Sequence, residues 1–176
     1  MSFSLVPQYI FRSYTDITTG FLKKLGIRFL MLDLDNTIAK YSEKAPSAAA
    51  IKWTQEMTRN NISLFIVSNS RRKDRVDIFA KALGIKYIKA ARKPSPSSVK
   101  DSMRAEKYYS YESALLGDQI YTDILAANRA GVISIIVRPL SLRNPLLLLR
   151  YVSELPFRAI GKIKNSEYGK VKHRDE

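Results

Sequence analysis

Four short segments of the 176-residue chain carry side chains that are suited to phosphate chemistry. They are Asp33-x-Asp35-x-Thr37, Ser68-Asn69-Ser70, Lys93-Pro94 and Gly117-Asp118-Gln119. Carboxylate oxygens are ligands that Mg²⁺ prefers, while a hydroxyl and an ammonium group can interact with phosphoryl oxygens. With the charge of the phosphoryl group balanced, Asp33 can attack phosphorus as a nucleophile. The four segments together predict a metal-assisted phosphoryl-transfer site.

Each segment alone has an ordinary structural explanation. Asp-x-Asp is typical of turns and helix caps, Ser68-Asn69 fits a turn, and a Lys-Pro pair is common in solvated loops. Gly117-Asp118 fits a tight turn followed by a helix cap. The order of the segments is stronger evidence, because independent turn preferences would rarely place all four in order at the ends of consecutive predicted strands.

The elements that must position these residues alternate along the chain from Gly26 onward. Short apolar runs predict five strands, at 29–34, 63–68, 86–89, 113–116 and 133–137. Segments of helical period predict helices at 47–60, 72–83, 96–108 and 121–130. This alternation predicts an α/β fold, a Rossmann-like parallel five-stranded sheet with helices on both faces. In such sheets ligands bind beyond the carboxyl ends of the strands, where the four segments lie.

Length and composition favour one folded domain with extensions at both ends. Hydrophobic residues make up 45% of the chain, enough to build a core. We expect an N-terminal arm over 1–26 that packs on or beside the core, a catalytic domain over 27–140 and a basic extension over 141–176. The absence of cysteine excludes a thiolate zinc site, and the single His173, near the C-terminus, argues against a histidine-based mechanism.

The order of the four segments resembles the motifs of the haloacid dehalogenase (HAD) superfamily. That resemblance implies Mg²⁺ and a covalent phospho-aspartate on Asp33, with Asp35 as the general acid and then the general base. It also implies that Asp33 and Asp118 bind the metal by their side chains and Asp35 by its backbone carbonyl, with Asp123 in a supporting role. The remaining implied roles are phosphate binding by the catalytic residues Ser68 and Lys93 and phosphate positioning by Thr37 and Asn69.

Neither segment between the first three motifs is long enough for a cap domain. Between the Asp-x-Asp motif and Ser68 there is room for one loop and one helix, and the stretch from Ser68 to Lys93 is shorter still. We therefore expect a capless, open site. In the superfamily an open site accompanies macromolecular or otherwise bulky substrates more often than small metabolites.

A closer resemblance is to the YqeG-like proteins of HAD subfamily IIIA, which are related to the mitochondrial phosphatidylglycerophosphate phosphatases. It covers residues 6–140 and adds Asp16-Ile17, Leu25-Gly26-Ile27 and Thr122-Asp123 to the four segments. The resemblance implies hydrolysis of the terminal phosphate of phosphatidylglycerophosphate to give phosphatidylglycerol. Ser70 stands where the subfamily often has asparagine, which leaves the catalytic set intact.

The chain is strongly basic, with 30 Lys and Arg against 16 Asp and Glu and a formal charge of +14. Many cations fall in loops at the predicted catalytic edge, namely Lys40, Lys44, Arg71, Arg72, Lys73, Arg75, Arg92 and Arg138. They predict a basic ring around the site that suits an anionic phospholipid surface, although single cations of this kind are usually just solvated. A nucleic acid fits the net charge equally well.

The segment 144–164 reads as a short helix start followed by alternating apolar and basic residues. It could lie in a membrane interface, or Leu146 to Leu149 could pack on the domain while the polar end frays. No apolar run is long enough to span a membrane, and no secretory signal is evident, so we expect a cytoplasmic protein that associates peripherally with membrane.

Two other functions remain open from the sequence. One is a HAD phosphatase that acts on the terminal phosphate of a nucleic acid, for which no recognised binding motif is present. The other is a receiver-like signalling domain, which ranks low because its phosphorylated aspartate lies on a different strand from its acidic pair. Here Asp33 and Asp35 follow the same predicted strand.

Overall fold

A parallel sheet of six strands lies at the centre of the computed structural model, which describes residues 4–70 and 73–164. The strands are β1 (Tyr9–Ile10), β2 (Phe29–Leu32), β3 (Ser63–Val67), β4 (Lys86–Ile88), β5 (Ser113–Gly117) and β6 (Ile133–Ile136). Their order across the sheet is β1-β6-β5-β2-β3-β4, and every neighbouring pair is parallel. The predicted α/β fold is confirmed, but the prediction of five strands is wrong.

The sixth strand comes from the N-terminal arm. Tyr9 and Ile10 pair with Ile135 and Ile136 of β6 and form one edge of the sheet. A two-residue strand is too short to leave an alternating pattern in the sequence, so its pairing with β6 was not predictable locally. The predicted strand ends were also slightly long: Asp33 to Leu34 and Ser68 follow β2 and β3 rather than belonging to them.

Within residues 4–70 and 73–164, six α-helices cover the sheet. They are α1 (Thr19–Lys24), α2 (Ala48–Arg59), α3 (Lys73–Leu83), α4 (Ser97–Glu106), α5 (Leu125–Ala130) and α6 (Pro145–Lys164). A wide π-type turn at Ile120–Ile124 leads into α5, where the sequence predicted one continuous helix. Gly131 follows α5 with φ +77, the left-handed conformation that ends a helix and that glycine adopts without strain.

Alternate residues of the central strands face two separate cores. Leu30, Leu32 and Ile66 pack with the N-terminal arm, α2 and α3, where Trp53 and Phe79 are buried. Phe29, Met31 and Leu115 face the other side, with Val99 and Met103 of α4 and the alanines of α5. Because successive strand residues point to opposite faces, helices pack on both sides of the sheet, as predicted.

Helix α6 differs from the sequence-based expectation. The predicted short helix start is a helix of 20 residues that includes Pro156, and it continues through the segment that was expected to alternate or fray. Gly161 lets α6 approach the arm closely, since a Cβ there would lie 3.0 Å from Pro7 Cγ and 3.1 Å from Ile10 Cδ1. Residues 165–176, with His173, lie outside the described residues.

Candidate active site

The first catalytic segment begins where β2 ends. The Asp33 backbone N–H donates to the Leu116 carbonyl at 2.8 Å, which extends the β2–β5 pairing by one residue and places the Asp33 side chain at the edge of the sheet. Asn36 adopts a left-handed conformation with φ 63, and its side-chain amide donates to the Ser141 carbonyl at 2.8 Å. The chain turns back here, so that the Thr37 hydroxyl donates to Asp33 Oδ2 at 3.2 Å and lies 3.4 Å from Asp118 Oδ1.

Lys93 joins two of the predicted catalytic segments. Its Nζ lies 2.6 Å from Asp33 Oδ1 and 2.8 Å from Asp123 Oδ1, and the side chain is almost completely buried. Burial alone would lower the pKa of Lys93, but Asp123 and Asp33 outweigh it and raise that pKa above its usual value. Lys93 is therefore a permanent cation between the two carboxylates.

Asp33 and Asp123 form a cluster with a third buried carboxylate, Asp118. Asp33, Asp118 and Asp123 each offer an oxygen, and these oxygens lie within 4.8 Å of one another. Burial raises the pKa of Asp33 to about 7, Lys93 opposes the shift, and Asp123 adds to it. Burial also raises the pKa of Asp118, reinforced by Asp123 and Asp33. When all three carboxylates are ionised they carry more negative charge than Lys93 balances, so the donor set fits a hard divalent cation such as Mg²⁺.

Gly117 and the wide turn explain how Asp123 reaches the cluster. A Cβ at position 117 would lie closer than 3.0 Å to the Asp123 carboxylate, so only glycine leaves room for that side chain. The carboxylate is held by the Gln119 backbone N–H, which donates to Asp123 Oδ2 at 3.1 Å. The glycine of the Gly117-Asp118 segment is therefore required by packing against Asp123, beyond any role in a turn.

Asp35 does not join the carboxylate cluster through its side chain. Its Oδ1 accepts a hydrogen bond from Arg75 Nε at 2.7 Å, and both side chains are buried. The Arg75 guanidinium also donates to the carbonyls of Lys40, at 2.7 Å, and Glu43, and it stacks over the Phe79 ring. Arg75 was predicted to be one of the solvated cations that ring the site, and this prediction is wrong. The residue is buried and fixes Asp35 and the loop beside it.

The second catalytic segment follows β3. The Ser68 hydroxyl faces the same cleft and accepts from the Ser70 backbone N–H at 3.0 Å. Both ends of the Asn69 side-chain amide bond to the main chain of Lys93, each at 2.9 Å. Asn69 therefore fixes the main chain of Lys93, and it can position a phosphate indirectly through Lys93.

A cleft of about 440 Å³ opens over these residues. Tyr41, Gln119, Thr122 and Arg150 line it beside the predicted residues, and sequence reasoning missed all four. Burial raises the pKa of Tyr41 to about 12, with a further contribution from Asp35, so its hydroxyl stays protonated at neutral pH. Gln119 and Thr122 lie between Gly117 and Asp123, but no role was assigned to either from the sequence, and Arg150 has no motif around it.

Arg150 reaches the cleft from α6, which lies far from the motifs in sequence. Two buried residues of α6 attach this helix to the rest of the protein. Arg158 donates to the carbonyls of Asp118 and Val137, and Glu154 accepts from the Ile120 N–H at 2.9 Å. Within the part of the chain that the structure describes, the Arg150 guanidinium has no hydrogen bond or ion pair. It is a half-buried cation that faces the carboxylate cluster and opposes the rise in the pKa of Asp118.

The other members of the predicted basic ring divide into two groups. Lys40, Lys44, Arg92 and Arg138 are exposed, as expected for solvated loop cations. Arg71 and Arg72 lie outside the described residues, and only the backbone of Lys73 is described, so the ring as a whole stays a prediction.

The fold, the motif order and the buried Asp-Lys-Asp arrangement define a phosphatase of the HAD type. The family model described as mitochondrial PGP phosphatase matches residues 3–140. The probable phosphatase YqeG of Bacillus subtilis (strain 168) is 32% identical over 136 residues, which cover 77% of this chain and 78% of that protein. The chain therefore belongs to the mitochondrial PGP phosphatase family, within the YqeG-like branch of HAD subfamily III.

One further relative agrees with this assignment, and a solved structure shares the fold. Phosphatidylglycerophosphate phosphatase 1, chloroplastic/mitochondrial, of Arabidopsis thaliana is 30% identical over 147 residues, 76% of this chain and 41% of that protein. A hydrolase of HAD subfamily III A from Legionella pneumophila shares the fold with a TM-score of 0.51 at 16% identity, over 85% of this chain and 93% of that one. A phosphatase of this family is an enzyme, so the receiver-like alternative is excluded.

Proposed function

We propose that this phosphatase is Mg²⁺-dependent and removes the terminal phosphate of phosphatidylglycerophosphate at an anionic membrane surface. The observation that carries the chemistry is the contact of Lys93 with both Asp33 and Asp123, beside Asp118. The substrate is supported by the Arabidopsis relative's name, by the open cleft and by the charge of the chain.

The metal would be held by Asp33 and Asp118, with Asp123 supporting them and the backbone carbonyl of Asp35 as a further ligand. Bound there, Mg²⁺ supplies positive charge that stabilises the phosphoryl oxygens and lessens their repulsion by the carboxylates. Lys93 contributes a fixed positive charge at Asp33 Oδ1 and orients this carboxylate. Thr37, with its hydroxyl on Asp33 Oδ2, restricts the rotation of the same group.

In the first half of the reaction, a carboxylate oxygen of Asp33 attacks phosphorus. The new bond joins this oxygen to phosphorus, while the bond from phosphorus to the glycerol oxygen breaks. Asp35 gives its proton to the leaving alkoxide, so phosphatidylglycerol departs as a neutral alcohol at that position. Arg75 holds Oδ1 of Asp35, which leaves Oδ2 as the oxygen for proton exchange.

In the second half, water attacks the phospho-aspartate and loses a proton to Asp35. The bond between phosphorus and the Asp33 oxygen breaks, inorganic phosphate leaves, and both carboxylic groups return to their starting states. Ser68, buried beside the cleft, donates to a phosphoryl oxygen in both halves. Asn69 contributes by holding the main chain of Lys93.

The cleft extends past the catalytic residues in a way that suits a substrate larger than a phosphate ester. Tyr41 lines both the catalytic cleft and a neighbouring one of about 790 Å³, which Lys40 and Arg143 also line. Phosphatidylglycerophosphate carries a second negative charge, the phosphodiester, one glycerol away from the phosphate that is removed. Arg150 lines the catalytic cleft and is the cation that we expect to bind this phosphodiester.

The test is a direct comparison of substrates. Purified protein should release phosphate from phosphatidylglycerophosphate in mixed micelles faster than from a 5′-phosphorylated oligonucleotide at matched salt. Asp33→Asn keeps the shape of the side chain but removes the nucleophile, so it should abolish turnover on both substrates. Faster release from the oligonucleotide would replace the lipid proposal by the nucleic-acid one, and retention of activity within tenfold by Asp33→Asn would contradict the assigned nucleophile.

A further inference from the structure

Helix α6 exposes apolar side chains where a helix on a protein surface normally exposes polar ones. Its solvent-facing side carries six large hydrophobic residues with 43 to 75% of their surface exposed, namely Leu146, Leu148, Leu149, Val152, Leu155 and Ile160. Leu146, Leu149, Val152 and Leu155 recur every three residues, and at about 100° per residue all six fall on one half of the helix circumference, so they form one continuous stripe along the helix. We call this stripe the α6 apolar face.

The opposite side of α6 is the one that holds the helix to the protein. Glu154, Arg158 and Gly161 are buried there, and Phe157 packs on the Ile120, Ile124 and Ile136 cluster. The α6 apolar face is therefore not needed to attach the helix. A contiguous exposed apolar patch of this kind is typical of a binding surface.

The charges on α6 indicate what the partner is. Glu154 is the single acidic residue of the helix, and it is buried against Arg158, with Arg158 Nη2 3.1 Å from Glu154 Oε2. Exposed cations lie at both ends of the stripe, Arg143 just before the helix and Lys162 near its end. The exposed surface of α6 thus combines leucine with positive charge, which matches the acyl boundary and headgroups of an anionic bilayer.

Two other occupants fit these observations less well. A second copy of the chain would bring two molecules of charge +14 together, each with cations beside its stripe, so electrostatic repulsion opposes that contact. A nucleic acid would pair with the cations but would gain nothing from six aliphatic side chains. The apolar stripe is therefore the feature that favours lipid over nucleic acid.

The position of the stripe relative to the cleft also fits a lipid surface. Arg150, which lines the catalytic cleft, follows Leu149 directly, and Leu147, which lines the neighbouring cleft, lies between Leu146 and Leu148. The mouth of the site and the α6 apolar face are adjacent surfaces of the same two helical turns. Among the described residues no helix is long and apolar enough to cross a membrane, so α6 would lie on a bilayer.

We propose that the α6 apolar face docks the protein on an anionic lipid bilayer and holds the mouth of the catalytic cleft against the headgroups. This inference rests on the proposed lipid substrate for its purpose. Its test does not, because bilayer binding can be measured without turnover. A failure of the proposed substrate and a failure of the docking surface are therefore distinguishable.

The first experiment is vesicle flotation of the full chain. Vesicles of phosphatidylcholine with phosphatidylglycerol should carry the wild-type protein, and pure phosphatidylcholine vesicles should carry far less. Replacing Leu146, Leu149 and Val152 by Ser should weaken binding to the anionic vesicles by at least about tenfold, because three aliphatic side chains lose their burial in lipid. A matched control replaces three exposed apolar residues elsewhere by Ser, Ile78 in α3 with Tyr109 and Tyr111, and should bind like the wild type.

The second experiment measures contact with acyl chains. The chain has one tryptophan, Trp53, which is 5% exposed in the core, so it gives a constant background. A tryptophan introduced by Leu149→Trp should be quenched by lipids brominated on their acyl chains, while one introduced by Tyr111→Trp should not. Hydrolysis of a soluble phosphate ester by each variant reports whether fold and site are intact.

Three results would overturn the docking surface. The first is equal vesicle binding by the wild type and the triple serine variant of α6. The second is a concentration-dependent dimer that the same variant dissociates, which would make the face an interface between copies. The third is absence of quenching for the Leu149→Trp protein on vesicles that bind it.

Discussion

Gly117→Ala tests how closely Gly117 and Asp123 must approach each other. The added methyl group would lie closer than 3.0 Å to Cβ, Cγ and Oδ2 of Asp123, so the side chain of Asp123 must withdraw. To reach the ordinary carbon-carbon separation of about 3.5 to 4.0 Å it must move by roughly 1 to 2 Å. It cannot do so freely, because Asp123 is buried, with Oδ1 in an ion pair with Lys93 and Oδ2 accepting a hydrogen bond from the Gln119 N–H.

The expected cost follows from the bonds that this movement breaks. A lost hydrogen bond to a charged group costs about 1.5 to 3 kcal/mol, and overpacking in a core costs about 1 to 3 kcal/mol. We expect a loss of about 3 kcal/mol in the free energy of unfolding, which lowers Tm by about 6 to 12 °C for a chain of this length. Activity should fall by about 100-fold or more, since a catalytic group misplaced by about 1 Å has that effect.

The matched control is Gly131→Ala. Position 131 has a left-handed φ of +77 but open space around a Cβ, so this variant suffers backbone strain without a clash and lies away from the cleft. It should lose about 1 to 2 kcal/mol and keep nearly full activity. Calorimetry and phosphate release from a soluble ester measure both variants. If Gly117→Ala matched Gly131→Ala in activity, Asp123 would not need its observed position and the reasoning would be refuted.

Three further outcomes are expected. Arg75→Met should lower the free energy of unfolding by about 3 kcal/mol, because Asp35 loses its buried partner. It should also reduce kcat more than it raises KM. An unchanged kcat would show that Arg75 does not position the general acid. Arg150→Ala should raise KM for phosphatidylglycerophosphate by about tenfold or more and change KM for a soluble monoester much less. Equal effects on both substrates would show that Arg150 does not recognise the second charge of the lipid. EDTA should stop turnover, with Mg²⁺ restoring it and Ca²⁺ doing so poorly, and full activity in EDTA would contradict the metal proposal.

Local sequence determined the parts of this protein that depend on short-range pattern. Continuous apolar runs marked the five longer strands, and the residues that follow them could be assigned to one edge of the sheet because parallel strands end together. The structure then brings Asp33, Lys93, Asp118 and Asp123 within contact distance without any rearrangement of that assignment. Gly117 was recognised as part of the motif, but the reason for glycine, the approach of Asp123, is a packing fact.

Tertiary structure alone decided the features that join distant segments. Strand β1 forms by pairing with the edge of β6. It has only two residues, so it has no sequence periodicity from which it could be predicted. Arg75 looks like any loop cation in sequence, and only folding buries it on Asp35. Helix α6 shows the same limit most clearly. Only its start was predicted, and which side faces solvent depends on the contacts of Glu154 and Arg158 with the main chain after β5 and β6. Those contacts turn the leucines outward and Arg150 toward the cleft, because a helix that buries its polar side must expose its apolar one.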